Sequence, residues 1–267
     1  MRQYTTILLC GVLSAMLLTS CSAFRLSKST ASDAFGDLGG SLVLIDCSSG
    51  KTTTYRPADA NTPLPPCSTF KIVNASIGLE MGIITSQEEQ FYKWDGIERF
   101  PAWDQDLSLR EAFQVSCVPA FQNLARQIGP ERMQGWIDKV GYGDRNISAG
   151  VDLFWLPSKE RETILISPIQ QADLMRKIVS GEIPFSDSSL SVLKKLMFIK
   201  KTDRGILYGK TGSGVDDEGL WVLGWFVGYV ESNDKSYAFA CVAQGKDVMS
   251  KHAREIAEHV LKKQGRL

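Results

Sequence analysis

Ser68 and Lys71 stand three residues apart in the stretch PPCSTFKIVN, residues 65–74, with Phe70, Ile72 and Val73 packed around the lysine in sequence. On a helix, residues three apart share a face, with Cβ atoms roughly 5–6 Å from one another. The amine can therefore reach the serine oxygen. A serine nucleophile needs a base, but a lysine with an ordinary pKa of about 10.4 is protonated at neutral pH and accepts nothing. An apolar neighbourhood disfavours the ammonium and so makes the lysine available. Taken alone, Ser-x-x-Lys also describes a capped helix carrying a solvated surface lysine.

Further pieces narrow the chemistry. Ser116-Cys117-Val118 follows a helical stretch and supplies a second hydroxyl able to relay protons. Gly209-Lys210-Thr211-Gly212 ends a predicted strand, so a cation and a hydroxyl sit beside glycines that let a ligand approach the backbone. Tyr142-Gly143-Asp144 reads as a turn between helices. The only histidines, His252 and His259, lie in the last helical segment, which disfavours a Ser-His-Asp arrangement. A phosphate loop ending in Gly209-Lys210-Thr211 would need glycine where Arg204 stands and a helix where an acidic turn follows; nucleotide binding is rejected.

The elements that must position these groups follow from periodicity. Residues 41–46 (SLVLID) predict a first strand, with a turn at Ser48-Ser49-Gly50. Pro65 and Pro66 prevent a helix from starting earlier, which puts Ser68 at or near a helix N-terminus, where the dipole favours developing negative charge. The pattern stays mainly helical to about residue 200, with apolar residues recurring at three and four in 109–115, 121–128 and 168–179. After Gly205 come aromatic and β-branched runs separated by turns, then a last amphipathic helix with Ala253, Ile256, Ala257, Val260 and Leu261 on one stripe. The expected fold class is α+β: an antiparallel sheet built from both chain ends, covered by terminal helices, with a mainly helical inserted subdomain. Its α/β part spans about 41–66 and 201–267, its helical part about 67–200, and the active site falls at their junction.

Composition bounds partners and compartment. The 267 residues carry 30 Lys and Arg against 30 Asp and Glu, so no field draws in a nucleic acid. Residues 1–20 read as an export signal, with Arg2 ahead of an apolar run from Ile7 to Leu18, too short for a membrane span; a buried N-terminal helix is the bland alternative. Leu18-Thr19-Ser20-Cys21 resembles the bacterial lipoprotein cleavage box, which implies a lipidated Cys21, membrane anchoring and a periplasmic location. Residues 21–40 are small and polar, as in a tether, and the folded domain is expected over 41–267. Cys47, Cys67, Cys117 and Cys241 then permit three full pairings that the sequence does not choose among. With no C-x-x-C and only His252 and His259 as histidines, a zinc site of Cys/His type is not expected.

Together these motifs resemble the penicillin-recognising serine enzymes and, within them, the class D β-lactamases. The likeness runs from about residue 40 to 263 and includes Trp94-Asp95-Gly96, Leu109-Arg110-Glu111-Ala112, Phe154-Trp155-Leu156 and Gly224-Trp225. It implies hydrolysis of β-lactam antibiotics through an acyl-enzyme on Ser68, with no metal and with CO2 or bicarbonate converting Lys71 to an N6-carboxylysine general base. Phe70, Val118 and Leu156 would wall that group and the Trp155 indole would donate to it. Ser116 and Lys210 would pass the proton to the leaving nitrogen, the backbone N–H groups of Ser68 and Ser213 would form the oxyanion hole, and Thr211 and Arg254 would hold the substrate carboxylate. Asp144 departs from the asparagine usual in that turn, with catalysis expected to survive. A Cys67–Cys117 bridge would distort the site, so Cys117 is expected to stay reduced. A penicillin sensor that acylates without turnover and a cell-wall DD-peptidase are the rival readings; sensors usually end a longer membrane receptor, and the Trp155 region matches the hydrolytic class. Substrate range and oligomeric state are not readable.

Overall fold

The computed structural model describes residues 26–267; the expected export signal and Cys21 lie outside the described residues. The chain enters through helix α1 (Lys28–Phe35), then strands β1 (Gly39–Asp46) and β2 (Thr52–Tyr55) and the short helix α2 (Pro57–Ala60). A 3-10 turn, Cys67–Phe70, leads into α3 (Lys71–Glu80). The helical region continues with α4 (Leu109–Gln114), α5 (Val118–Ile128), α6 (Pro130–Val140), α7 (Pro168–Ser180) and α8 (Asp187–Met197); between α3 and α4 lie two short strands, β3 (Gln90–Tyr92) and β4 (Leu107–Ser108). The chain returns through β5 (Phe198–Lys201), β6 (Ile206–Val215), β7 (Trp221–Ser232) and β8 (Lys235–Gln244) and closes with α9 (Ser250–Lys263).

The main sheet has the order β2-β1-β8-β7-β6-β5, all neighbours antiparallel. The two chain ends meet in its middle, where β1 pairs with β8 from Gly39 opposite Gln244 to Asp46 opposite Tyr237. Period-two alternation along β1 assigns the two faces. Leu42 and Leu44 join Phe226, Phe239, Ile256 and Val260 in the layer under α1 and α9, while Val43 and Ile45 join Trp225, Val227, Val242 and Met175 in the layer under the helical region. The expected α+β sheet with an inserted helical part is the fold observed.

Three boundaries differ from expectation. Residues 28–35, read as tether, form α1, which starts at the N-cap Ser27 and buries Ala31 and Phe35 against the sheet layer with α9. That stretch has too few apolar residues for periodicity to register, and packing fixes it instead. The small β3–β4 ladder interrupts the helical part, and β5 begins at Phe198, before the expected return to strand.

Candidate active site

Pro65 and Pro66 deliver the chain into the 3-10 turn that holds Ser68, and Lys71 is the first residue of α3. Cys67, just before the serine, has φ of 51°, a left-handed conformation rare for a side-chain-bearing residue and typical of strain held at a functional site. Lys71 is 0% exposed. Its amine donates to Ser68 Oγ over 3.0 Å, and burial drives its pKa from 10.5 down to about 7. The expectation that apolar neighbours would strip this lysine of its charge is met by geometry. Phe70 is fully buried, stacked on Trp155 at 5.1 Å and met edge-on by Phe154 at 4.7 Å. Trp155 is also fully buried, and its indole Nε1 has no hydrogen-bond partner among the described residues.

Ser116 caps the end of α4 in a second left-handed residue, φ 57°, with its N–H donating to Phe113 O over 3.2 Å. The turn is pinned by Trp103, whose indole donates to Val115 O over 2.9 Å. Lys210 reaches across from β6: its buried amine donates to Ser116 Oγ and, over 2.9 Å, to Thr211 O. Burial and the nearby Lys71 both hold the Lys210 pKa well below the usual lysine range.

The sheet side of the site depends on one open edge. β5 pairs only with the first residues of β6, Ile206 to Tyr208, so β6 beyond them runs past the serine turn. At Gly212 the approach is so close that a Cβ would lie 3.1 Å from Pro66 O and from the Ser68 and Thr69 nitrogens. These are backbone atoms and cannot swing aside. We expect Gly212→Ala to lower kcat/KM about tenfold or more through displacement of the serine turn, as steady-state kinetics on the folded variant will show. Ser68, Ser116, Val118, Leu156, Thr211 and Ser213 line one cavity of about 450 Å³. Arg254 is not in it. It lines an adjoining cavity of about 280 Å³ with Lys210 and Thr211, and its Nε donates to Glu258 over 2.8 Å.

Residues 40–264 match the family described as the penicillin binding protein transpeptidase domain. Over 242 residues, 90% of this chain and 86% of the relative, the sequence is 37% identical to the probable β-lactamase YbxI of Bacillus subtilis. A solved class D β-lactamase from Bacillus subtilis superposes with a TM-score of 0.82 at 35% identity, covering 91% of this chain and 99% of that one. The chain belongs to the class D β-lactamase family. The C-terminal domain of the BlaR penicillin receptor of Bacillus licheniformis is also similar, with a TM-score of 0.82 at 32% identity over 91% of this chain and 96% of that domain.

Set against the class D pattern, Asp144 is a mild departure. Its Oδ1 accepts from the N–H groups of Asn146 and Leu165 at 3.1 and 3.2 Å, a role open to an amide oxygen as well, and its charge is exposed. Cys47, Cys67, Cys117 and Cys241 are all free thiols, and burial raises the Cys67 thiol to about 12. Among the described residues no three His, Cys, Asp or Glu side chains are grouped to hold a metal ion. Sequence reasoning missed Phe121, whose ring lies 5.4 Å from the Lys71 amine, and Trp103, since neither sits in a motif.

Proposed function

We propose that the chain hydrolyses β-lactams through an ester on Ser68, with Lys71 in its N-carboxylated form. The observation that carries this reading is a fully buried amine with a pKa of about 7, 3.0 Å from the serine oxygen, together with the buried Trp155 indole N–H, stacked on Phe70, that has no acceptor among the described residues. A neutral amine attacks CO2; the N–C bond forms and one proton leaves to solvent. The carboxylate so formed supplies a general base where no histidine is available. The unpartnered Trp155 N–H supports a role as donor to it, with Phe70, Val118 and Leu156 keeping the surroundings apolar.

Ser68 Oγ then attacks the lactam carbonyl, with the Ser68 and Ser213 N–H groups as donors to the developing oxyanion. Ser116, hydrogen-bonded to Lys210, delivers a proton to the departing ring nitrogen. Thr211 and Arg254 hold the substrate carboxylate; Arg254 does so by exchanging Glu258 for the incoming anion. Water entering the cavity hydrolyses the ester and restores Ser68.

The test follows a chromogenic cephalosporin with and without bicarbonate. Many turnovers, enhanced by bicarbonate, support hydrolysis. A single stoichiometric burst supports the second reading, a penicillin sensor, which the similarity to the BlaR domain favours. The pH dependence has a definite sign. Because the folded Lys71 pKa lies near 7, the attacking neutral amine is present above that pH and is lost below it. Activity at fixed CO2 pressure should therefore decline as pH falls through about 7, and added CO2 should restore part of it; a profile flat from pH 8 to 5.5 would contradict this.

We propose further that the chain is exported and held at a membrane by lipid on Cys21. The run Leu18-Thr19-Ser20-Cys21 supports this. Cells expressing the full chain should incorporate labelled palmitate, and Cys21→Ala should abolish both the label and membrane fractionation.

A further inference from the structure

The serine turn is clamped on the side away from the cavity by a buried polar chain that the catalytic scheme does not use. Gln171, on α7 and 0% exposed, donates through Nε2 to Thr69 Oγ1 over 2.8 Å, across 102 residues of sequence. Thr69 Oγ1 in turn donates to Pro66 O over 2.7 Å, and the Thr69 N–H reaches the same carbonyl over 3.1 Å. Pro66 and Thr69 bracket Cys67, with its left-handed backbone, and Ser68 itself. The start of α7 is not free to drift. Leu64 and Ile166 exchange backbone hydrogen bonds of 3.0 and 2.9 Å, and Ser167 and Gln170 form a reciprocal cap.

A glutamine is a poor choice if packing alone is required. Its amide is fully buried beside Thr69 and the Tyr142 hydroxyl, and taking those polar groups out of water has a cost that an apolar residue of similar volume would avoid. We propose that Gln171 is a positioning residue: through Thr69 and the Pro66 carbonyl it fixes the strained backbone that aims Ser68 Oγ at Lys71 and the cavity. Gly212 of β6 packs against the same turn, close to Pro66 O and the Ser68 and Thr69 nitrogens, so the link works against a neighbour that leaves little room. Gln171 touches neither substrate nor reacting atoms.

This inference rests on Ser68 being the nucleophile for β-lactams. The test measures the second-order rate of acylation by a fluorescent penicillin, alongside thermal melting, for Gln171→Leu, Thr69→Val and Thr69→Ser. Gln171→Leu and Thr69→Val should acylate about 10–100-fold more slowly, while Thr69→Ser, which keeps the hydroxyl, stays within about threefold of wild type. The double variant should be no slower than either single one, because both break one link. Acylation of folded Gln171→Leu at the wild-type rate would overturn the proposal, as would equal losses in Thr69→Ser and Thr69→Val. If Gln171→Leu fails to fold, the threonine pair decides alone. A wild-type chain that takes up no label would instead sink the hydrolase reading on which the inference stands.

Discussion

Lys71→Ala should turn the enzyme into a trap. Mixed with a penicillin, the variant is expected to accumulate at most one covalent adduct per chain, slowly, and to release it about 10³-fold more slowly than wild type, within the usual range for loss of a general base. The reasoning is structural: both histidines lie on α9, and the other buried amine nearby, Lys210, is engaged by Ser116 and Thr211. Among the described residues, no other side chain is hydrogen-bonded to Ser68 Oγ to take its proton. Intact-protein mass spectrometry over hours checks both halves. Rapid loss of the adduct from the variant would place the deacylating base elsewhere.

Trp155→Phe should produce the second largest loss and, unlike the first, a reversible one. The ring would still stack on Phe70, so packing survives, but the only polar atom of that side chain disappears. A hydrogen bond to a charged group contributes about 1.5–3 kcal/mol, which corresponds to roughly 10–150-fold weaker retention of CO2 by Lys71. In buffer depleted of CO2 the variant should show a burst followed by a slow phase, and high bicarbonate should return most of the lost rate. A loss that bicarbonate does not touch would mean that the indole serves only as a core aromatic. The orphaned Nε1 argues for the reversible outcome, since a buried donor without an acceptor costs stability that a phenylalanine would spare.

What could be read from the sequence was whatever chemistry ties to neighbouring residues. Ser68 and Lys71 declare themselves because a helical spacing of three places them together, and the aromatic and β-branched runs after Gly205 declare a meander because strands need such residues. Features set by distant contacts left no local trace. Helix α1 has only Ala31 and Phe35 to bury, and it exists because α9 and the sheet accept them. The left-handed backbones of Cys67 and Ser116 are invisible in a cysteine and a serine, where a glycine would have advertised them. Phe121 and Gln171 act on the site from other helices, and only the folded chain brings them near. Arg254 illustrates the converse. Its position early in α9 was anticipated, but its engagement with Glu258 and its seat in the adjoining cavity were not.

Carbon-13 NMR of the intact enzyme in labelled bicarbonate addresses the core of this account most directly. It should show one carbamate carbon that fades as pH falls below about 7 and is absent from Lys71→Ala. A spectrum without that signal, recorded while the same sample still turns over a β-lactam, would contradict it.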